Sequence, residues 1–101
     1  MTIVALVDDL MDRSRLSAAL PATTFLREPD TADASVVIID LAVYAAAVPV
    51  VRAARPSARI IAFGSHVDAS VLDDARAAGA DLVLARSRFF RDPAGAVAAV
   101  G

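Results

Sequence analysis

The sequence predicts an α/β fold, a doubly wound sheet of five parallel strands. Short runs rich in β-branched residues alternate with alanine-rich segments of helical period, the pattern of βαβ units. Two of the runs, IVALV at 3–7 and VVIID at 36–40, are apolar almost throughout, as strands covered on both faces must be. The length sets the scale: 101 residues make one domain, spanning 1–101, that buries roughly 65% of the surface its unfolded chain exposes.

The elements follow in order. Ile3 to Val7 is the first strand. Leu10 to Leu20 is a helix with Leu16 and Leu20 on one stripe, Asp12, Arg13 and Arg15 off it, and Pro21 as its stop. Thr23 to Leu26 is a short strand. Arg27 to Ala34 (REPDTADA) has no apolar stripe and reads as a loop with at most one helical turn, so the second crossover helix is reduced. Val36 to Asp40 is a strand near the sheet centre, ending in a carboxylate.

Pro49 belongs in a first helical turn, which predicts a helix from about Val48 to Arg55 and makes AVYAAA before it a loop or an extra turn. Arg59 to Phe63 is the fourth strand. Asp68 then caps a helix whose Val71, Leu72, Ala75 and Ala78 share a face and whose stop is Gly79. Asp81 to Ala85 is the fifth strand, and DPAGAVAAV a short closing helix with Pro93 near its start. Repeats, low-complexity tracts and linkers are absent from the sequence.

Composition narrows the function classes. No stretch approaches the ~20 apolar residues of a membrane helix, and no basic n-region precedes the first apolar run, so a soluble cytoplasmic protein is expected. Cysteine is absent, which removes disulfides, thiolate metal sites and cysteine nucleophiles. A net charge of −2 offers no polybasic surface to nucleic acid or to a membrane. All ten basic residues are arginine, so any site that ordinarily uses lysine does without one. No Gly-rich loop follows a strand to cradle phosphates, and His66 has no neighbouring His or Cys, which leaves it a loop residue.

Ligand sites in doubly wound sheets lie outside the carboxyl ends of the strands, at the switch point. In the flavodoxin-like order 2-1-3-4-5, strands one and three are neighbours, and Asp8, Asp9 and Asp40 converge on one crevice. Three carboxylates repel one another, and raised pKa values, a basic partner or a hard divalent cation relieves them; Mg²⁺ suits such an open oxygen site. The plainer reading makes Asp8 and Asp9 helix caps, Arg86 a surface arginine, and Tyr44, Phe89 and Phe90 core or interface packing.

VDDLMDRSRLSAAL, VVIIDL and ARIIAFGSHVDASVLDDARAAGADLVLARS, the last with AAGAD in register, resemble the first, third and fourth-to-fifth strand regions of the receiver domain of bacterial response regulators. The resemblance extends over nearly the whole chain. It implies two-component signalling, with Asp8 and Asp9 as the acidic Mg²⁺ pair, Asp40 as phosphoacceptor and third ligand, and the Ala42 backbone carbonyl completing the metal shell. In that family the phosphoryl group comes from a histidine kinase, Mg²⁺ and a lysine neutralise its oxygens, and a Thr or Ser hydroxyl reports it.

This chain departs from the pattern. Arg86 stands at the lysine position, Ser87 at the following proline, Gly64 at the Thr/Ser switch and Val83 at the aromatic switch, while the loop after Asp40 lacks its Met-Pro-Gly character. Ser65 is the candidate substitute hydroxyl, provided its loop turns toward Asp40. Arg86 is expected to hold Asp40 in a bidentate pair as a permanent counter-ion, favouring a fixed state.

Three readings result. The favoured one is a non-enzymatic pseudo-receiver that works by protein–protein contact with a kinase or other signalling protein, its phospho-switching impaired or absent. The second is a working phosphoacceptor with Arg86 in place of lysine. The third, a small Mg²⁺-dependent phosphatase or phosphotransferase, is weakest, because Asp8 and Asp9 are adjacent rather than two positions apart. The resemblance further implies a homodimer through the fourth helix, fifth strand and fifth helix, Val71 to Phe90.

Overall fold

In a computed structural model, which describes residues 1–29 and 33–101, the chain runs β1 (Ile3–Leu6), α1 (Leu10–Ala19), β2 (Thr24–Phe25), β3 (Val36–Asp40), α2 (Leu41–Tyr44), α3 (Ala47–Ala54), β4 (Arg59–Gly64), α4 (Ala69–Ala77), β5 (Leu82–Ala85), α5 (Arg86–Arg91) and α6 (Pro93–Val100). The strands pair in the order β2-β1-β3-β4-β5, every pair parallel. This is the predicted flavodoxin-like sheet.

Alternation along β3 divides the core into two layers. Val37 and Ile39 join Val4, Leu6 and Ile60 under α2, α3 and α4, whereas Val36 and Ile38 join Ala5, Ile61 and Phe63 under α1, α5 and α6. Since strand residues alternate faces, burial of all five β3 residues requires helices on both sides. Parallel pairing sends every strand's carboxyl end to one edge: Leu6 lies opposite Ile39, and Asp40 opposite Phe63.

The structure differs from the sequence reading in three places. Asp68 precedes α4 but makes no side-chain capping hydrogen bond, whereas Asp40 caps α2, the extra turn that the sequence allowed after it. Residues 86–91 form a helix that periodicity does not show, held by Phe89, which is fully buried and stacks on Phe63 with ring centroids 4.9 Å apart. Asp92 and Pro93 separate it from α6, with Asp92 accepting from the Gly95 amide at 2.9 Å. The third is Asp12, which lies inside. The helical turn allowed within REPDTADA falls partly on residues 30–32, outside the described residues.

The segment expected to pair two copies, Val71 to Phe90, carries half-buried rather than fully exposed large hydrophobic residues. Among the described residues the exposed large hydrophobics are Met1, Leu10, Met11, Val43, Val50 and Val67, none of them between Val71 and Phe90, and Phe89 belongs to the core.

Candidate functional site

The carboxyl edge brings the predicted aspartates to one end of the molecule, and each does local work there. Asp9 caps α1, its Oδ1 accepting from the Asp12 amide at 3.0 Å. Asp40 caps α2, its Oδ1 accepting from the Ala42 amide at 3.0 Å. Asp8 stays exposed, and its Oδ1 accepts from the Tyr44 hydroxyl at 2.6 Å with the Arg13 guanidinium 3.9 Å away. Arg13 is itself fixed by donating from Nε to the Val7 carbonyl at 2.6 Å. Helix capping therefore accounts for Asp9 and contributes to Asp40.

Capping does not remove the cost of Asp40's position. Only 5% of its surface is exposed. Burial raises its pKa above the ordinary 3.8, the negative charges of Asp12 and Asp9 push the same way, and the Ala42 amide and the Arg86 charge oppose them. The Tyr44 hydroxyl is likewise raised, chiefly by the hydrogen bond it donates to Asp8.

Arg86 does not pair with Asp40. As the first residue of α5, it donates from Nη2 to Oδ1 of Asp12, the hydrogen bond that chiefly raises its own pKa. Its guanidinium also lies over the Phe90 ring at 5.2 Å and the Phe63 ring at 5.8 Å. Arg86 is thus held by a carboxylate and two phenyl faces, and Asp40 feels its charge without a hydrogen bond from it.

Asp12 is the residue the sequence reading placed wrongly. It is 1% exposed, and its Oδ2 has no hydrogen-bond partner. Its position carried a signal: Asp12 precedes Leu16 by four residues, as Leu16 precedes Leu20, so the three lie on one stripe. An aspartate on the buried stripe of a helix needs a cationic partner from elsewhere in the chain, and Arg86 supplies it.

At the other switch positions, a Cβ on Gly64 would lie 3.2 Å from Leu72 Cδ2 and 3.4 Å from Leu41 Cβ, so a hydroxyl-bearing side chain would enter only with a shift of a few tenths of an ångström in Leu72. Ser65 is exposed, with its Oγ 3.4 Å from the Val67 amide in its own loop. Val83 is buried in the layer beneath α4, and Ser87 is exposed on α5.

The predicted Mg²⁺ set of Asp8, Asp9, Asp40 and the Ala42 carbonyl has suitably hard oxygen donors. As placed, however, one oxygen of each carboxylate is engaged, by Tyr44, the Asp12 amide and the Ala42 amide respectively. Among the described residues no three His, Cys, Asp or Glu side chains are grouped to hold a metal ion. The residues as placed do not form a ready-made metal shell. A cleft of about 320 Å³ opens nearby, lined by Leu41, Pro49, Val71, Asp74, Ala75 and their alanine neighbours.

No protein-family model and no curated relative matches the chain. Solved structures do. A response regulator protein from Burkholderia pseudomallei, determined with a phosphorylated aspartic acid, a calcium ion and citrate, superposes with a TM-score of 0.79 at 17% identity, covering 99% of this chain and 66% of that one. A response regulator from Thermotoga maritima gives 0.73 at 13% identity over 98% and 95% of the two chains. RcsB from Salmonella enterica serovar Typhimurium, bound to promoter rprA in the presence of phosphomimetic BeF3⁻, gives 0.73 at 18% identity over 100% and 68%. The chain thus has the receiver-domain fold, and it spans just under two thirds of the length of the Burkholderia protein.

Proposed function

We propose that this chain is an atypical receiver-like signalling module that acts by contact with a protein partner, with phospho-switching impaired. The observation that carries this reading is the engagement of Arg86. The one cation at the family's lysine position is paired through Nη2 with a buried carboxylate and lies over two phenyl faces, so a phosphoryl group on Asp40 would have to compete for it. A ligand shifts a conformational equilibrium only by interacting differently with its two states. With no hydroxyl at Gly64 and Val83 buried in the core, little is left at those positions to distinguish them.

Contact as the mode of action draws on the surface. Leu10, Met11, Val43 and Val67 are exposed and follow the carboxyl ends of β1, β3 and β4, so an apolar rim borders the acidic edge. The net charge of −2 favours a protein partner over nucleic acid. No helix among the described residues is long and apolar enough to cross a membrane.

The second reading, a working phosphoacceptor, draws on Asp40 itself. A carboxylate kept buried at a strand end against its solvation cost is a mark of functional sites. Incubation with acetyl phosphate and Mg²⁺, read by intact mass for the wild type and Asp40→Asn, separates the two. Impaired switching is expected to give little phosphoryl gain in the wild type. A full gain that Asp40→Asn abolishes would overturn it in favour of the second reading.

A further inference from the structure

We propose that the Asp12–Arg86 ion pair is a lock on the acceptor position, in which Asp12 competes with a phosphoryl group on Asp40 for the Arg86 guanidinium. The inference rests on reading Asp40 as the residue on which a phosphoryl group would be carried.

The competition follows from burial and from the count of partners. Asp12 is 1% exposed, its Oδ2 is unpartnered, and Arg86 is its one cationic partner in the ion pairs of the described residues. If Arg86 turned to Asp40, Asp12 would be left as a buried charge without compensation, a far costlier state than the pair. Arg86 would also have to leave the faces of Phe63 and Phe90. Phe63, over whose ring Arg86 lies, is the strand partner of Asp40, so the pair stands beside the acceptor position, and Asp40 feels the charges of both partners. A phosphoryl group would bring its charge of about −1.5 to −2 to this end of the sheet while the Arg86 guanidinium is engaged with Asp12.

The step the lock resists is simple to write. An ionised Asp40 carboxylate oxygen bonds to the phosphorus of acetyl phosphate as the bond from phosphorus to the acetate oxygen breaks. Acetate leaves with that electron pair, and no proton or redox partner is involved. Asp12 touches neither reactant, so its role is that of a positioning residue acting through Arg86.

The experiment follows acetyl phosphate labelling by intact mass for the wild type, Asp12→Asn, Asp12→Asn/Arg86→Ala and Asp12→Asn/Asp40→Asn. Asp12→Asn removes the charge and keeps the volume, and labelling is expected at least tenfold faster than in the wild type. The gain should disappear in both double variants. A folded Asp12→Asn that labels no faster than the wild type overturns the lock, and if both are unlabelled the impaired-switching reading still stands. A wild type that labels readily, with Asp12→Asn at least tenfold faster still, keeps the lock and overturns that reading. Fast labelling that survives Arg86→Ala would show only relief of repulsion, which also overturns the competition.

Should Asp12→Asn not fold, guanidinium NMR of the wild type decides. Arg86 signals that stay unchanged on addition of beryllofluoride and Mg²⁺ support the lock. Signals that shift as Asp40 becomes ligated overturn it.

Discussion

Asp40 is a residue whose placement costs stability, and the sign of that cost can be tested. Burial raises its folded pKa above the unfolded value near 3.8, so the folded state binds the proton more tightly. Stability is therefore lost as pH rises from the unfolded value through the folded one, and the full cost persists at neutral pH. Asp40→Asn keeps a capping oxygen for the Ala42 amide and removes the charge. We expect its melting temperature to exceed that of the wild type at pH 7, with the difference shrinking towards pH 4. A variant less stable at pH 7 would mean that the ionised cap outweighs the burial. The Asp12–Arg86 pair should show an asymmetry. Arg86→Ala strands a buried carboxylate and should cost about 3 kcal/mol in urea unfolding, at the low end for buried pairs because Arg86 is 42% exposed. Asp12→Asn leaves an arginine that can reach water and should cost less. Asp8, Asp9 and Asp40 were legible in the sequence because strand ends are. Asp12 was not, since an aspartate in a first helical turn ordinarily faces solvent and only its i,i+4 relation to Leu16 says otherwise.

Between elements, one arginine joins three segments. Arg52, near the end of α3, donates from Nε and Nη2 to the Gly79 carbonyl at 3.0 and 2.9 Å, and from Nη1 to the Pro56 and Ala58 carbonyls at 2.9 and 2.8 Å. It also bonds Asp81 at 2.6 Å, whose carboxylate accepts from the Ile60 amide at 2.7 Å. The turn after α4 and the starts of β4 and β5 are thereby fixed together, which sets the register that delivers Arg86 to the site. Gly79 closes that turn with φ +114°, and a Cβ there would lie 2.8 Å from Arg52 Cγ. Gly79→Ala is expected to cost about 2 kcal/mol from backbone strain, and more if Arg52 is displaced; a urea midpoint equal to that of the wild type would refute this. The sequence shows Gly79 as a helix stop, because turn chemistry is local. It does not show Arg52 as its partner 27 residues away, nor α5, whose helix depends on Phe89 finding Phe63.

At the scale of the whole molecule, the parallel doubly wound class was legible in the alternating α/β pattern and the doubly apolar VVIID, whereas the order 2-1-3-4-5 was supplied by the flavodoxin-like arrangement and the receiver resemblance. How stability is distributed across the sheet was not legible, because it depends on pairing. β1 and β3 each have neighbours on both sides, whereas β2 is a two-residue edge strand joined to β1 through Val4–Thr24 and Ala5–Phe25 alone. Thr24 is exposed and Phe25 half-buried, so opening this edge exposes little apolar surface, while opening β3 exposes five buried residues. Native-state hydrogen exchange should therefore release the β2 amides first, with β1, β3 and β4 exchanging together only on global unfolding. Asp8, Asp9 and Asp40 follow or end the protected strands, so the acidic edge is expected to persist while β2 opens and closes. If β2 instead exchanges as slowly as β3, the sheet opens as one unit and the edge strand is as firmly held as the centre.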